Sequence, residues 1–195
     1  MKKILILAVM AMLAVSASAQ KNFIPELVVD KVDADSRTLI TNIANLRDGM
    51  TDRNPAQANL GVVILEDKVL YNLMIVLPSL QGFALPKGGF MLVKLNNGEI
   101  IELEQSLDEV KSKDYVGTYN RHTGMRTHNN RGSYLVDRAD LEAIAEHGVA
   151  KIRIEKINEN VDVEYKKERW QPVVAGWLGV IDEALAQKKD IYSDF

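Results

Sequence analysis

The sequence predicts an α+β fold: mainly antiparallel short strands, arranged as a sandwich or a curled sheet, with one short helix near 138–147 and a C-terminal amphipathic helix near 172–188. Three observations carry that prediction. Short runs alternate apolar and polar residues, turn-forming clusters separate the runs, and the apolar period shifts from two to 3.6 at two places. Leu27 to Val32 and Arg37 to Ile43 flank Asp33-Ala34-Asp35-Ser36 and read as a hairpin. Leu60 to Leu65 and Val69 to Leu77 flank Glu66-Asp67-Lys68 and read as a second. Phe90 to Leu95 and Glu99 to Leu103 flank Asn96-Asn97-Gly98, where Asn97-Gly98 supplies the positive φ angles of a tight turn. Tyr115 to Tyr119 and Ser133 to Val136 read as strands on either side of a long polar loop. Asp137 then caps the short helix, Leu141, Ile144 and Ala145 form its apolar stripe, and Gly148 ends it. Val149 to Glu155 and Val161 to Tyr165 return to period two with one wet face, the mark of antiparallel sheet. The terminal helix opens at Pro172, and Val174, Trp177, Leu178, Ile181 and Leu185 fall on one continuous face. The expected total is about eight to ten strands.

The first residues divide into three parts. Lys2 and Lys3 are basic, Ile4 to Val15 is an unbroken apolar run, and Ser16-Ala17-Ser18-Ala19 ends in Ala-x-Ala. That is the pattern of a secretory signal peptide over residues 1–19, leaving 20–195 as a single globular α+β domain. The apolar run spans only about 18 Å as helix, too short for a hydrocarbon core of about 30 Å. The expected location is extracytoplasmic, in the periplasm or at the cell surface, with no transmembrane anchor after cleavage. A net charge of −3 argues against nucleic acid as a partner, since phosphate binding needs a concentrated basic face. The chain has no cysteine, so disulfides, a thiol nucleophile, thiolate metal sites and a lipidated N-terminal cysteine are excluded.

The hairpin KLNNGEIIEL, followed after a polar interval by YLVDRADLEAIAEHGVAKIRIE, resembles uncharacterised small exported proteins of Bacteroidota. The resemblance covers roughly Leu27 to Asn158 and leaves the terminal helix outside. It implies an envelope location and a fold, and it carries over no catalytic residue.

Searching for chemistry removes the simplest enzymes. Neither Ser79 nor Ser133 sits in a Gly-x-Ser-x-Gly frame, and Pro86-Lys87-Gly88-Gly89 lacks the frame of a phosphate-binding loop. Asp33 and Asp35 read as a plain turn, because Arg37 falls where a third calcium ligand belongs. Glu102, Glu104, Asp108 and Glu109 read as a solvated strand edge, although paired carboxylates are what a glycan or cell-wall hydrolase needs. His147 suits the carbonyl end of the short helix, and Trp170 either packs at the helix entry or stacks on a sugar ring. The interval between Tyr115 and Val136 holds no acidic residue. It carries Arg121, Arg126 and Arg131 with His122 and His128, bordered by Tyr119 and Tyr134. Guanidiniums bind carboxylate or phosphate in a fork, so this loop is the candidate site for an anionic ligand: an acidic glycan, a lipid head group or an acidic envelope protein. The expectation is a non-catalytic ligand- or protein-binding module without cofactor or metal. The alternative is a hydrolase whose carboxylates are assembled only by the fold.

Overall fold

The computed structural model describes residues 23–46, 57–66, 68–79, 84–106, 110–111, 116–120, 125–157, 160–166 and 168–187. Among them the strands are β1 (Leu27–Asp33), β2 (Ser36–Thr41), β3 (Ala44–Asn45), β4 (Gln57–Leu65), β5 (Lys68–Ser79), β6 (Ala84–Leu85), β7 (Phe90–Leu95), β8 (Ile100–Glu104), β9 (Val110–Lys111), β10 (Val116–Asn120) and β11 (Met125–Val136). Helix α1 (Arg138–His147) follows, then β12 (Val149–Glu155), β13 (Asn160–Glu164) and helix α2 (Trp170–Ala186). The fold is α+β, and every strand pairing is antiparallel.

The strands form a larger sheet in the order β1-β2-β4-β5-β11-β10, with β3 on β4, and a smaller sheet in the order β13-β12-β7-β8. A further pair joins β6 to β9. Among the described residues thirteen strands exceed the eight to ten expected, because β3, β6 and β9 are two residues each, too short to show a period. Both sheets and both helices enclose one hydrophobic cluster that runs from Leu39 to Ala184.

The long polar loop expected between Asn120 and Arg131 is a correction. Strand β11 runs through Arg126, His128 and Arg131, and pairs with β5 without a break from His128↔Ser79 to Val136↔Tyr71. Polar side chains hid the strand, but a strand's backbone is held by its neighbours, and β5 supplies a twelve-residue partner. The Asn96-Asn97-Gly98 turn is also corrected. Gly98 has φ 95° while Asn97 does not adopt positive φ, and Leu95 N–H donates to Glu99 O at 2.9 Å. Three residues therefore span the turn, with glycine in the left-handed region at its end, and Asn97 Oδ1 accepts the Glu99 N–H at 3.0 Å.

Helix α2 begins two residues before Pro172, so the proline is the third helical residue. It is tolerated there because the first turn's N–H groups have no intrahelical partner. Val174, Trp177, Leu178 and Ile181 are buried as the period predicts, and Leu185 is half-buried. Trp170 is buried too, edge-on to Tyr165 at 6.0 Å, so it packs at the helix entry. The helix is tied at both ends. Glu168 Oε1 accepts the Gln171 N–H at 2.7 Å, and its Oε2 accepts Asn96 Nδ2 at 2.8 Å and the Val149 N–H at 3.1 Å. At the far end Arg37 forks onto Asp30 and donates Nη1 to the carbonyls of Ala184 (2.8 Å) and Gln187 (3.1 Å). Ala184 lies in the last turn and Gln187 is the C-cap, positions whose carbonyls a helix leaves without donors of its own.

Candidate functional site

The two sheets touch at one corner. Gln105, just past β8, bridges Tyr134 of β11, and Ser106 N–H donates to Ser133 O at 2.7 Å. A buried polar knot holds this corner. Asn72 Nδ2 donates to Ser106 Oγ at 2.7 Å, Ser106 Oγ donates to Ser133 O at 2.9 Å, and Ser133 Oγ donates to Asn72 Oδ1. The partner of the Ser133 hydroxyl is thus an amide oxygen, which is no general base. The serine closes a junction.

From that corner β8 and β11 part, and between them opens a cleft of about 500 Å³. Glu102, Leu103 and Glu104 of β8 form one wall, and Leu135 and Val136 of β11 the other. Val69, Leu70 and Tyr71 of β5 line it too, and Asp137, Arg138 and Asp140 close the end where α1 begins. Leu70 and Leu135 are 43% and 45% exposed, large apolar side chains left facing open space.

The backbone explains why β8 presents an edge. Leu95 N–H bonds Glu99 O, and Gln105 N–H bonds Gly89 O at 2.8 Å, so the odd-numbered residues of β8 pair toward β7. The N–H and C=O groups of Ile100 and Glu102 point the other way. Strand β8 ends its sheet, and among the described residues no strand covers that side.

Charge in the cleft is one-sided. Arg138 forks onto Asp182 at 2.6 and 2.9 Å and donates Nε to Glu142 at 2.8 Å, so its charge is neutralised on the helix side. The hydrogen bond to Asp182 is also the chief reason its pKa rises. Among the described residues no basic side chain forms an ion pair with Glu102, Glu104, Asp137 or Asp140. The Asp140 carboxyl is raised above its ordinary pKa, first by burial and then by the neighbouring Asp137 charge, against a backbone hydrogen bond from Asp137 that lowers it. That bond ties the third helical residue back to the N-cap backbone, whereas the Asp137 side chain expected to cap α1 makes no cap hydrogen bond.

Of the residues singled out for an anionic ligand, Tyr134 is buried and Arg131 is engaged within the fold, while the backbone alone places Tyr119, Arg126 and His128. Tyr119 lies on β10 opposite Arg126 of β11, and His128 is two residues farther along, at the same strand parity as Arg126. Arg131 has the other parity, pairs in register with Val76, and is already engaged within the fold. Tyr134 is 0% exposed, so it belongs to the core and not to a binding surface. Its ring lies over Gly132, where a Cβ would meet it. Arg121 and His122, like Asp108 and Glu109, lie outside the described residues. His147 sits in the last turn of α1, its Nε2 4.0 Å from Glu146. Asp33 pairs with Lys31 at 2.7 Å beside a two-residue hairpin turn. Among the described residues no three His, Asp or Glu side chains are grouped to hold a metal ion, and no helix is long and apolar enough to cross a membrane.

Sequence reasoning found Glu102 and Glu104 but read Asp137 only as a cap and passed over Asp140, Leu70 and Leu135. The Asp137-x-x-Asp140 spacing signals a helix start; what stands across from it is a tertiary fact. No family model, no curated protein and no solved structure matches the chain.

Proposed function

We propose that this chain is an exported protein of a bacterial envelope that binds a ligand or another protein and does not catalyse a reaction. The observation that carries the binding reading is the cleft between β8 and β11, which combines an unpaired strand edge, exposed leucines and uncompensated carboxylates in one place. Large apolar side chains beside a polar rim mark surfaces that partners cover. Export rests on the tripartite pattern of residues 1–19 and on the resemblance to exported proteins of Bacteroidota. Residues 1–20 fused to a reporter are expected to carry it out of the cytoplasm; retention there would remove the localisation.

A ligand selective for the folded state raises its melting temperature by mass action. Screening the protein against acidic glycans, anionic lipid head groups, peptides and metals is expected to give a shift with one class. Basic residues of the β10–β11 hairpin are the place where an anion would act. Arg121→Ala with Arg126→Ala would then weaken binding, and salt would weaken it in the unmodified protein. No shift with any class would end the binding reading.

A hydrolase is the second reading, favoured by Asp140, whose pKa burial and the Asp137 charge raise, in a cleft with two further carboxylates. Two carboxyls in one cleft with their pKa values pushed apart are what glycoside cleavage uses. Release of reducing ends from cell-wall glycan, lost in Asp140→Asn, would establish that reading. No release under binding conditions leaves the module as proposed.

A further inference from the structure

We propose that the cleft between β8 and β11 receives an extended polypeptide segment bearing basic side chains, which adds to the free edge of β8 as a further strand. The inference rests on the reading of this chain as a binding module and names the partner class of that cleft. Glu102 turns unused N–H and C=O groups toward the cleft, Ile100 continues the same free edge beyond the cleft lining, and such an edge is a template for another strand. The corner bridge between Gln105 and Tyr134 sets the spacing of the two sheets at one end, and beyond it they diverge.

Charge selects what enters. Glu102 and Glu104 share one face of β8, and Asp137 and Asp140 stand at the cleft's end, while Arg138 is committed to Asp182 and Glu142. A second copy pairing through its own β8 would place glutamates opposite glutamates, which is unfavourable. A segment with lysine or arginine at alternate positions meets this face instead. The bridge puts Glu104 and Leu135 on the same side of the sheet, so the apolar stems of those side chains lie over Leu135 and Leu70 while their heads reach the glutamates. Alternate residues turned the other way meet the apolar sheet face at Leu103 and Val136 and suit valine or isoleucine.

The test uses three fluorescent, end-blocked peptides titrated into the purified protein at low salt. One alternates Lys and Val over seven residues, one replaces each Lys by Glu, and one keeps the lysines but places Pro at the central Val. The Lys–Val peptide is expected to bind with a Kd of roughly 10–100 µM. The Glu–Val peptide should not bind, and the proline peptide should bind about tenfold more weakly, because proline removes a ladder donor. Glu102→Gln with Glu104→Gln should weaken the Lys–Val peptide about tenfold with the melting temperature unchanged, since both side chains are exposed. Undiminished binding of the proline peptide, undiminished binding by the double variant, or no saturable binding of the Lys–Val peptide would each overturn strand addition. If the peptides fail while an anionic ligand still raises the melting temperature, only this inference falls. If hydrolytic turnover appears instead, the binding reading falls with it.

Discussion

Tyr134 and Glu168 show how differently two polar side chains serve this fold. Tyr134 is fully buried, and its hydroxyl has no hydrogen-bond partner among the described residues. Burial first, and the Glu155 charge second, push its pKa well above that of a free tyrosine, so the group stays neutral. A buried hydroxyl without a partner costs desolvation and returns nothing. Tyr134→Phe is therefore expected to leave stability unchanged or raise it by up to about 1 kcal/mol in urea unfolding. A loss above about 1 kcal/mol would show that the hydroxyl has a partner. Glu168 is the opposite case, since its two oxygens serve the start of α2, the β7–β8 turn and the first residue of β12. The same carboxylate crowds Gly148, which has φ 68° and ends α1. Glu168→Ala should cost about 1–3 kcal/mol, measured as a lower denaturant midpoint, with Glu168→Gln recovering part of it.

At the scale of elements, α2 is where the sequence period and the structure agree best. Ile181 is 0% exposed within the face that joins α1 and the sheets in one core. Ile181→Asp should lower stability by more than about 3 kcal/mol, because the truncation term is joined by an unpaired buried charge. Circular dichroism melts would show this, and an unchanged melt would mean that the helix is not part of the cooperative fold. Hairpin β10–β11 teaches the reverse lesson. Its basic residues read as a loop because polar composition resembles that of irregular backbone, yet β5 extends the pairing through Arg131 to His128. Strand parity then splits Arg126 and His128 from Arg131 along β11.

For the whole molecule, ion pairs set the acid limb of stability. A hydrogen bond from Arg153, then one from Lys151, holds Asp162 well below the usual carboxylate range, and Arg138 lowers Asp182. Groups with folded pKa values below their unfolded ones stabilise above the unfolded value and lose that contribution as pH falls through the folded one. The melting temperature should therefore decline below about pH 4. Asp140 has the opposite sign. Its raised pKa means that its ionised form costs stability at neutral pH, a cost relieved as the group takes up its proton on acidification. Asp140→Asn should raise the melting temperature at pH 7, and the gain should vanish below about pH 4, where the wild-type carboxyl is protonated whether folded or unfolded. A constant gain at every pH would assign the effect to packing.

By itself the sequence determined the local structure of this protein: the first three hairpins, both helices and the buried face of α2. Each rests on a period or a turn residue that acts within a few positions along the chain. Glu102 and Glu104 were legible as exposed edge carboxylates for the same reason. Only the tertiary structure decided that β8 and β11 meet at Gln105 and Tyr134 and then part, since that bridge joins residues 29 positions apart with no periodic signature. It alone set Asp140 across from Glu102 and Glu104, left Leu70 and Leu135 uncovered, and removed Tyr134 from the surface. A site made from the gap between two sheets is a matter of what fails to pair, and sequence patterns record only what pairs locally.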